Sequence, residues 1–293
     1  MKGLFSDWCA QGITSVLHEM PGGYANNSLA MLGLAAKAEA LGVRIMSGIT
    51  VNALESDNSG AIAAVVTDQG RIECDYAGGA AGPWVRSFWE MLELPMEVGI
   101  RNTATGEISE GIPMWIYWSL QEGTLGVDPT LQVTNEGKMP PVIHVDTDAP
   151  LHSDQDGRLL ADAMWGIYYK PDFHFGGVQG GAAPFIVDKP AREVAVDPYG
   201  ADSPEFVVGS ECAEMWVSAL AHCQQRFSGT LPHFKTEPSG GIGAFTPDSF
   251  PVFDTMKENC FVIADSNHGY KMIGVGDLVA QTICGSKPDL LNP

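Results

Sequence analysis

The chain has 293 residues, 45% of them hydrophobic and 18% charged, a composition that buries a sizeable core and is not that of a disordered segment. Asp and Glu number 36 against 16 for Lys and Arg, a formal charge of -20 at pH 7, which repels phosphate backbones and anionic membranes and argues against nucleic-acid binding. No apolar run reaches the ~18 residues of a membrane span, and the opening MKGLFSDWCAQG lacks a signal peptide's apolar stretch.

In chain order, ITSVLHE predicts a strand and PGGYANN a turn. SLAMLGLAAKAEALG predicts a helix, with Leu29, Leu32, Ala36 and Leu41 at helical spacing, Asn27 or Ser28 as the cap and Gly42 at the end. VRIMSG reads as a strand, and residues 52–80 as short strands joined by turns at DNSG and DQG. From Pro95 to His233 the texture changes. Aromatic runs, MWIYWSL and MWGIYYK, predict strands, and ECAEMWVSALAHCQQRF predicts a helix, together an antiparallel sheet covered by a helix. Near the end, CFVIA predicts a buried strand, ADSNHGYK a loop and IGVGDLVAQTI a helix. Such a unit aims a loop and free backbone N–H groups outward from a strand end, where anions and cofactors bind.

The cysteines (Cys9, Cys74, Cys212, Cys223, Cys260, Cys284) form no C-x-x-C and no zinc spacing with histidine, so they read as free thiols in a reducing, cytoplasmic setting. Taken singly, the remaining motifs are weak. His18 and Glu19 are neighbours on a strand and point to opposite faces, so they read as structural. GGIGAF neither follows a buried strand nor opens a helix, GGVQGG fares no better, and there is no P-loop, G-x-S-x-G or H-E-x-x-H.

Three segments in order are more specific: GGYANNSLAMLGLAAKAEALGVRIMSGITV, then CDYAGGAAGPWV, then SGGIGAFTPDSFPVFD running into CFVIADSNHGYKMIGVG. Together they resemble the FAD-dependent oxidoreductase family of D-amino-acid oxidase, glycine oxidase and sarcosine oxidase. The resemblance implies an α/β plus α+β fold: an incomplete FAD-binding Rossmann-like domain with an inserted antiparallel-sheet substrate domain. Residues 1–27 would be a substrate-domain strand and its turn, 28–94 part of the FAD-binding domain, 95–235 the substrate domain, and 236–293 the C-terminal part of the FAD-binding domain. It implies cofactor contacts at Val51, Ala81, Gly82, Trp84, Gly240, Gly241, Asp248, Asn267, His268, Gly269, Tyr270 and Lys271. Small residues at 81, 82 and 269 would let backbone approach the cofactor. Lys271 and His268 are the implied catalytic contributors, Lys271 by placing positive charge where reduced flavin accumulates negative charge.

The same resemblance points to Tyr168 and Lys170, within GIYYKPDFHFGGVQGG, as substrate contacts. Lys170 stands where the family has an Arg that holds a carboxylate with two bonds, and a lysine lacks that planar fork. Trp115, Tyr117, Trp118, Tyr169 and His174 could line an aromatic pocket, although aromatic strand residues more often belong to the core. Gly241 occupies the place of a flavin-linking Cys, so the FAD expected here is non-covalent. The family's early G-x-G-x-x-G is not in this sequence, which reads as a truncated chain that holds FAD weakly or not at all alone. The expected partners are a small-molecule amine or amino acid, with a homo-oligomer or partner chain as a way to complete the site. A nicotinamide enzyme is disfavoured for lack of the same fingerprint.

Overall fold

The computed structural model describes residues 1–9, 11–18, 25–139, 142–182, 185–186, 190–194, 196, 208–237, 240–264 and 272–288. In chain order its elements begin with β1 (Ile13–His18), α1 (Asn27–Ala40), β2 (Val51–Ser56), β3 (Ile62–Thr67), β4 (Gly70–Glu73) and β5 (Ala77–Gly79). Next come α2 (Val85–Met91), β6 (Glu97–Arg101), β7 (Ile108–Pro113), β8 (Ile116–Leu120), β9 (Glu122–Leu125) and β10 (Ile143–Thr147). They continue with β11 (Leu151–His152), β12 (Leu159–Ala161), β13 (Trp165–Asp172), β14 (Gly177–Ala182), β15 (Phe185–Ile186) and α3 (Ser210–Cys223). The last are β16 (Phe234–Lys235), β17 (Gly241–Phe245), β18 (Val252–Lys257), β19 (Cys260–Ala264) and α4 (Met272–Ile283). The fold is mixed α/β with several antiparallel sheets.

The chain divides into two compact units, the first made of Met1–Val43, Ser119–Phe185 and Asp197–Gly241, the second of Arg44–Trp118, Ile186–Val196 and Ile242–Pro293. Residues 95–118, which the sequence groups with the middle region, thus cluster with the second unit, and α1 with the first.

The first unit is built on a six-stranded sheet of order β1-β10-β13-β14-β9-β16, antiparallel at each pairing. Strand β13, WGIYYKPD, shows why it folds: with a side-chain period of two, Trp165, Ile167 and Tyr169 share one face and Tyr168 and Lys170 the other. The first set joins Trp216, Val217, Leu220 and Cys223 of α3 in one apolar core. Each such large side chain stabilises the fold by about 1.5–3 kcal/mol through burial. Two of its polar groups find partners: the Tyr169 hydroxyl donates to Gln224 Oε1 (2.7 Å) and Trp216 Nε1 to the Tyr168 carbonyl (3.3 Å).

Helix α1 forms as expected but is capped one residue earlier, where Asn26 Oδ1 accepts from Leu29 N, and it ends at Gly42 with φ +92°. None of its residues is buried. The predicted strand at 43–48 does not form. Its alternation suits a pleated surface, but a strand is defined by its ladder, and Val43, Ile45 and Met46 stay exposed without one.

In the second unit, β2, β3 and β4 form the expected antiparallel meander. Asp57 closes its first turn by accepting from Ser59 N and Ala61 N, and Gly60 and Gly70 supply positive φ at the two turns. A second sheet, β18-β19-β5, pairs β19 with β5 in parallel. Asn259 ties the two sheets together, accepting from Ile62 N (2.7 Å) and donating to the carbonyls of Ile62 (2.7 Å) and Asp75 (2.9 Å). The segment T-P-D-S-F-P is no ladder hairpin: it joins β17, in the sheet β15-β8-β17, to β18 in another sheet. Its turn is held by Thr246 Oγ1 donating to the Phe250 carbonyl (2.6 Å) and by Ser249 at φ +61°. The hairpin of β6 and β7 has no counterpart in the sequence reading.

Candidate functional site

The second unit brings two strand ends together. Cys260 lies opposite Ala77, Phe261 opposite Gly78 and Val262 opposite Gly79. Because the pair is parallel, β5 and β19 finish at the same edge, the position from which α/β sheets bind ligands. From there β5 leads into Ala81 and Gly82, while β19 leads toward residues 265–271 and α4. The bend after β5 is packed from beneath. A Cβ on Gly79 would lie 1.9 Å from the Phe88 ring, so the Phe88 ring of α2 occupies the space that a side chain at 79 would take. The Tyr117 hydroxyl donates to the Pro83 carbonyl (2.8 Å), and burial pushes its pKa up to about 12, so it remains a donor.

At the bend the backbone is open: Gly82 has φ +55°, and a Cβ there would meet nothing within 4 Å. Trp84 is 40% exposed beside Gly82. Open backbone next to a partly exposed aromatic ring leaves room for a flat, hydrogen-bonding group such as an isoalloxazine.

Residues 3–108 match the DAO family, FAD dependent oxidoreductase. Solved structures resembling this chain include L-proline dehydrogenase from P. horikoshii (TM-score 0.57, 17% identity, 89% of this chain and 56% of that one). Glycine oxidase from Geobacillus kaustophilus (0.52, 16%, 88% and 54%) and a thermally stable mutant of fructosyl peptide oxidase (0.56, 14%, 92% and 57%) also match. At these identities the likeness shows the fold, and the chain spans a little over half the length of those proteins. No curated protein matches the chain.

The family resemblance named further residues in the second unit. Val51, at the start of β2, is exposed. Asp248 is exposed and its Oδ1 accepts from Phe250 N (3.1 Å), a turn-forming bond. Asn267, His268, Gly269, Tyr270 and Lys271 lie outside the described residues. Trp115 and Tyr117 are buried, with Trp115 edge-on to Trp89, so they are core, whereas Trp118 packs near Phe245.

The first unit holds Gly240, Gly241, Tyr168 and Lys170. Gly241 opens β17 with free space at its Cβ position. Tyr168 and Lys170 lie on the sheet face opposite α3 and meet residues that sequence reasoning missed. Tyr168 lies opposite Gly181, which lies opposite Glu122, and across that glycine the Tyr168 hydroxyl donates to Glu122 Oε1. Gln179 Nε2 donates to Glu122 Oε2 at 2.9 Å. Lys170 Nζ pairs with Asp172 Oδ2 at 2.5 Å, and Asp172 Oδ1 accepts from the N–H groups of His174 (2.8 Å) and Phe175 (2.9 Å). Burial would raise the Asp172 carboxyl, but the Lys170 hydrogen bond and those N–H groups outweigh it and hold the pKa below 3.8. His144 stands 6.0 Å from the Tyr168 ring; His174 is exposed, and Tyr169 faces the core. The signal for this cluster was GGVQGG: glycines inside a strand mark close approach of other groups.

Proposed function

We propose that the chain is part of an FAD-dependent oxidoreductase that oxidises an amine or amino acid at its C–N bond. The observation that carries this reading is the parallel pair β5 and β19, whose ends share one edge beside open backbone at Gly82. The family match over residues 3–108 supports it. When bound, the flavin would supply the acceptor for hydride from the carbon beside the amine nitrogen. Ala81, Gly82 and Trp84 would form one wall for it, and Val51 would lie by its adenine. On sequence alone, Asn267, His268, Gly269, Tyr270 and Lys271 are assigned to the same wall, with Lys271 and His268 stabilising negative charge. Tyr168 and Lys170 are assigned to the substrate.

Residues 1–293 contain no G-x-G-x-x-G, so the grip on the FAD phosphates is assigned to a further segment or a partner chain, and this chain alone holds FAD weakly. The reaction would run in a reducing, cytoplasmic setting, which the free state of all six cysteines supports; among the described residues no helix is long and apolar enough to cross a membrane. The deciding experiment is the absorbance spectrum of the purified chain with added FAD, then with an amine or amino acid under anaerobic conditions. Flavin bands that bleach on substrate addition support the reading; a protein that never acquires flavin, with or without co-expressed partners, removes it.

A second reading, a non-catalytic subunit that acts by association, is favoured by α1, where Leu29, Met31, Leu32 and Leu34 are all exposed. Size-exclusion chromatography separates the two: a clean monomer argues against association.

A further inference from the structure

The polar face of the first unit's sheet holds a carboxylate with spare capacity and a cation already paired. Glu122 receives one donor on each oxygen, from Tyr168 and Gln179. A carboxylate offers about four lone-pair sites, so about two remain. Lys170 is bound to Asp172, and Asp172 is fixed in turn by two backbone N–H groups of the β13–β14 turn. Lys235, opposite Thr124, adds a second cation to this face, but among the described residues no cation pairs with Glu122, whose charge is left unneutralised.

One further group points the same way. Thr124 lies opposite Gln179 and so projects to the same side, and it is fully buried. Its hydroxyl has no hydrogen-bond partner among the described residues, and a buried polar group without one is costly unless a ligand supplies it. An arriving carboxylate meets the unneutralised charge of Glu122 and a lysine without a fork. An ammonium meets a carboxylate held in place by two donors.

Resting on the reading as an amine oxidoreductase, we infer that this face selects a cationic amine by its ammonium group, received at Glu122 with the Thr124 hydroxyl as a second acceptor, and needs no substrate carboxylate. The Tyr168 and Gln179 bonds orient the Glu122 carboxylate, and Gly181 leaves the room they require. The occupant is thus an alkyl- or arylalkylamine, not an α-amino acid recognised by its acid group.

The test is calorimetric titration of the full chain with n-butylammonium, butanamide and butyrate. The expected order is butylammonium tighter than either of the others by about ten-fold or more, the difference a charge-assisted hydrogen bond makes. Glu122→Gln should weaken butylammonium by about ten-fold or more. Butyrate as the tighter ligand, no butylammonium binding, or unchanged affinity in Glu122→Gln each overturns the inference. Should Glu122→Gln fail to fold by circular dichroism, the ligand order on the unmodified chain and Thr124→Val, expected to weaken butylammonium, decide it. Flavin absorbance is read separately. Butylammonium binding without flavin uptake keeps this inference and removes the proposed function, while a flavin-loaded chain that prefers butyrate does the reverse.

Discussion

Tyr168 reaches Glu122 two strands away because the strand between them presents Gly181, which has no side chain, at the crossing point. A Cβ at Gly181 would sit 2.6 Å from the Gln121 carbonyl oxygen and 3.1 Å from the Tyr168 hydroxyl. The first contact is with backbone and cannot be relieved by a rotamer change. Gly181→Ala should therefore destabilise the fold by about 1–3 kcal/mol, the usual cost of overpacking. Gly241→Ala, where nothing lies within 4 Å, should be near neutral. Urea denaturation of both variants checks the contrast.

Acid should weaken the first unit through two carboxylates. Asp7 Oδ1 and Oδ2 accept from Arg226 Nη2 (2.5 Å) and Nε (2.8 Å), and Arg226 Nη1 donates to the Leu131 carbonyl (2.6 Å). Burial would raise the Asp7 carboxyl, but these Arg226 bonds outweigh it and hold the pKa below 3.8, as Lys170 does for Asp172. The folded value lies below the unfolded one, so the contribution is present above about pH 4. It is lost as pH falls through the folded pKa. Stability should decline below about pH 4, and Asp7→Asn should cost about 1.5–3 kcal/mol at pH 7 while flattening the acid limb. Urea midpoints between pH 3 and pH 7 measure both.

What the sequence made legible was local. Strand β13 could be read because its own alternation assigns Trp165, Ile167 and Tyr169 to one face, and CFVIA because a short apolar run before a loop is a buried strand whatever its neighbours. The segment Val43–Met46 carries the same kind of pattern and forms no strand, since periodicity specifies a face but supplies no partner. Glu122 was invisible for the opposite reason. It is 46 residues from Tyr168, and only the register of two successive strand pairings brings them together. The sequence marked the small residues after β5 and the strand CFVIA separately; the parallel pairing that unites their ends joins segments far apart in the chain and is written in neither alone.

Exposed leucines on α1 should tolerate charge. Leu29 and Leu32 are 68% and 67% exposed, so replacing both with Glu removes no packing. The first turn of the helix has no acidic residue, and Leu29→Glu would add one where the helix dipole favours it. The double variant should keep its stability within about 0.5 kcal/mol and elute as a smaller species if the unmodified chain self-associates. Thermal melts and size-exclusion chromatography report the two effects.

Thiol reactivity should separate the cysteines by burial. Cys284 is exposed, while Cys212, Cys223 and Cys260 are buried. Burial pushes Cys212 up to about 11 and Cys223 to about 12, the latter also by its nearness to Cys9. Since the thiolate is the nucleophile, iodoacetamide at pH 8 should label Cys284 rapidly and leave Cys212 and Cys223 untouched until the chain unfolds. The same shifts set an alkaline limit. A folded pKa above the ordinary 9.0 means that the contribution is complete below about pH 9 and declines as pH rises through 11 to 12. Labelling followed by peptide mass spectrometry tests the first part. Rapid labelling of Cys223 at pH 8 in native protein would mean that α3 does not pack on the sheet as described.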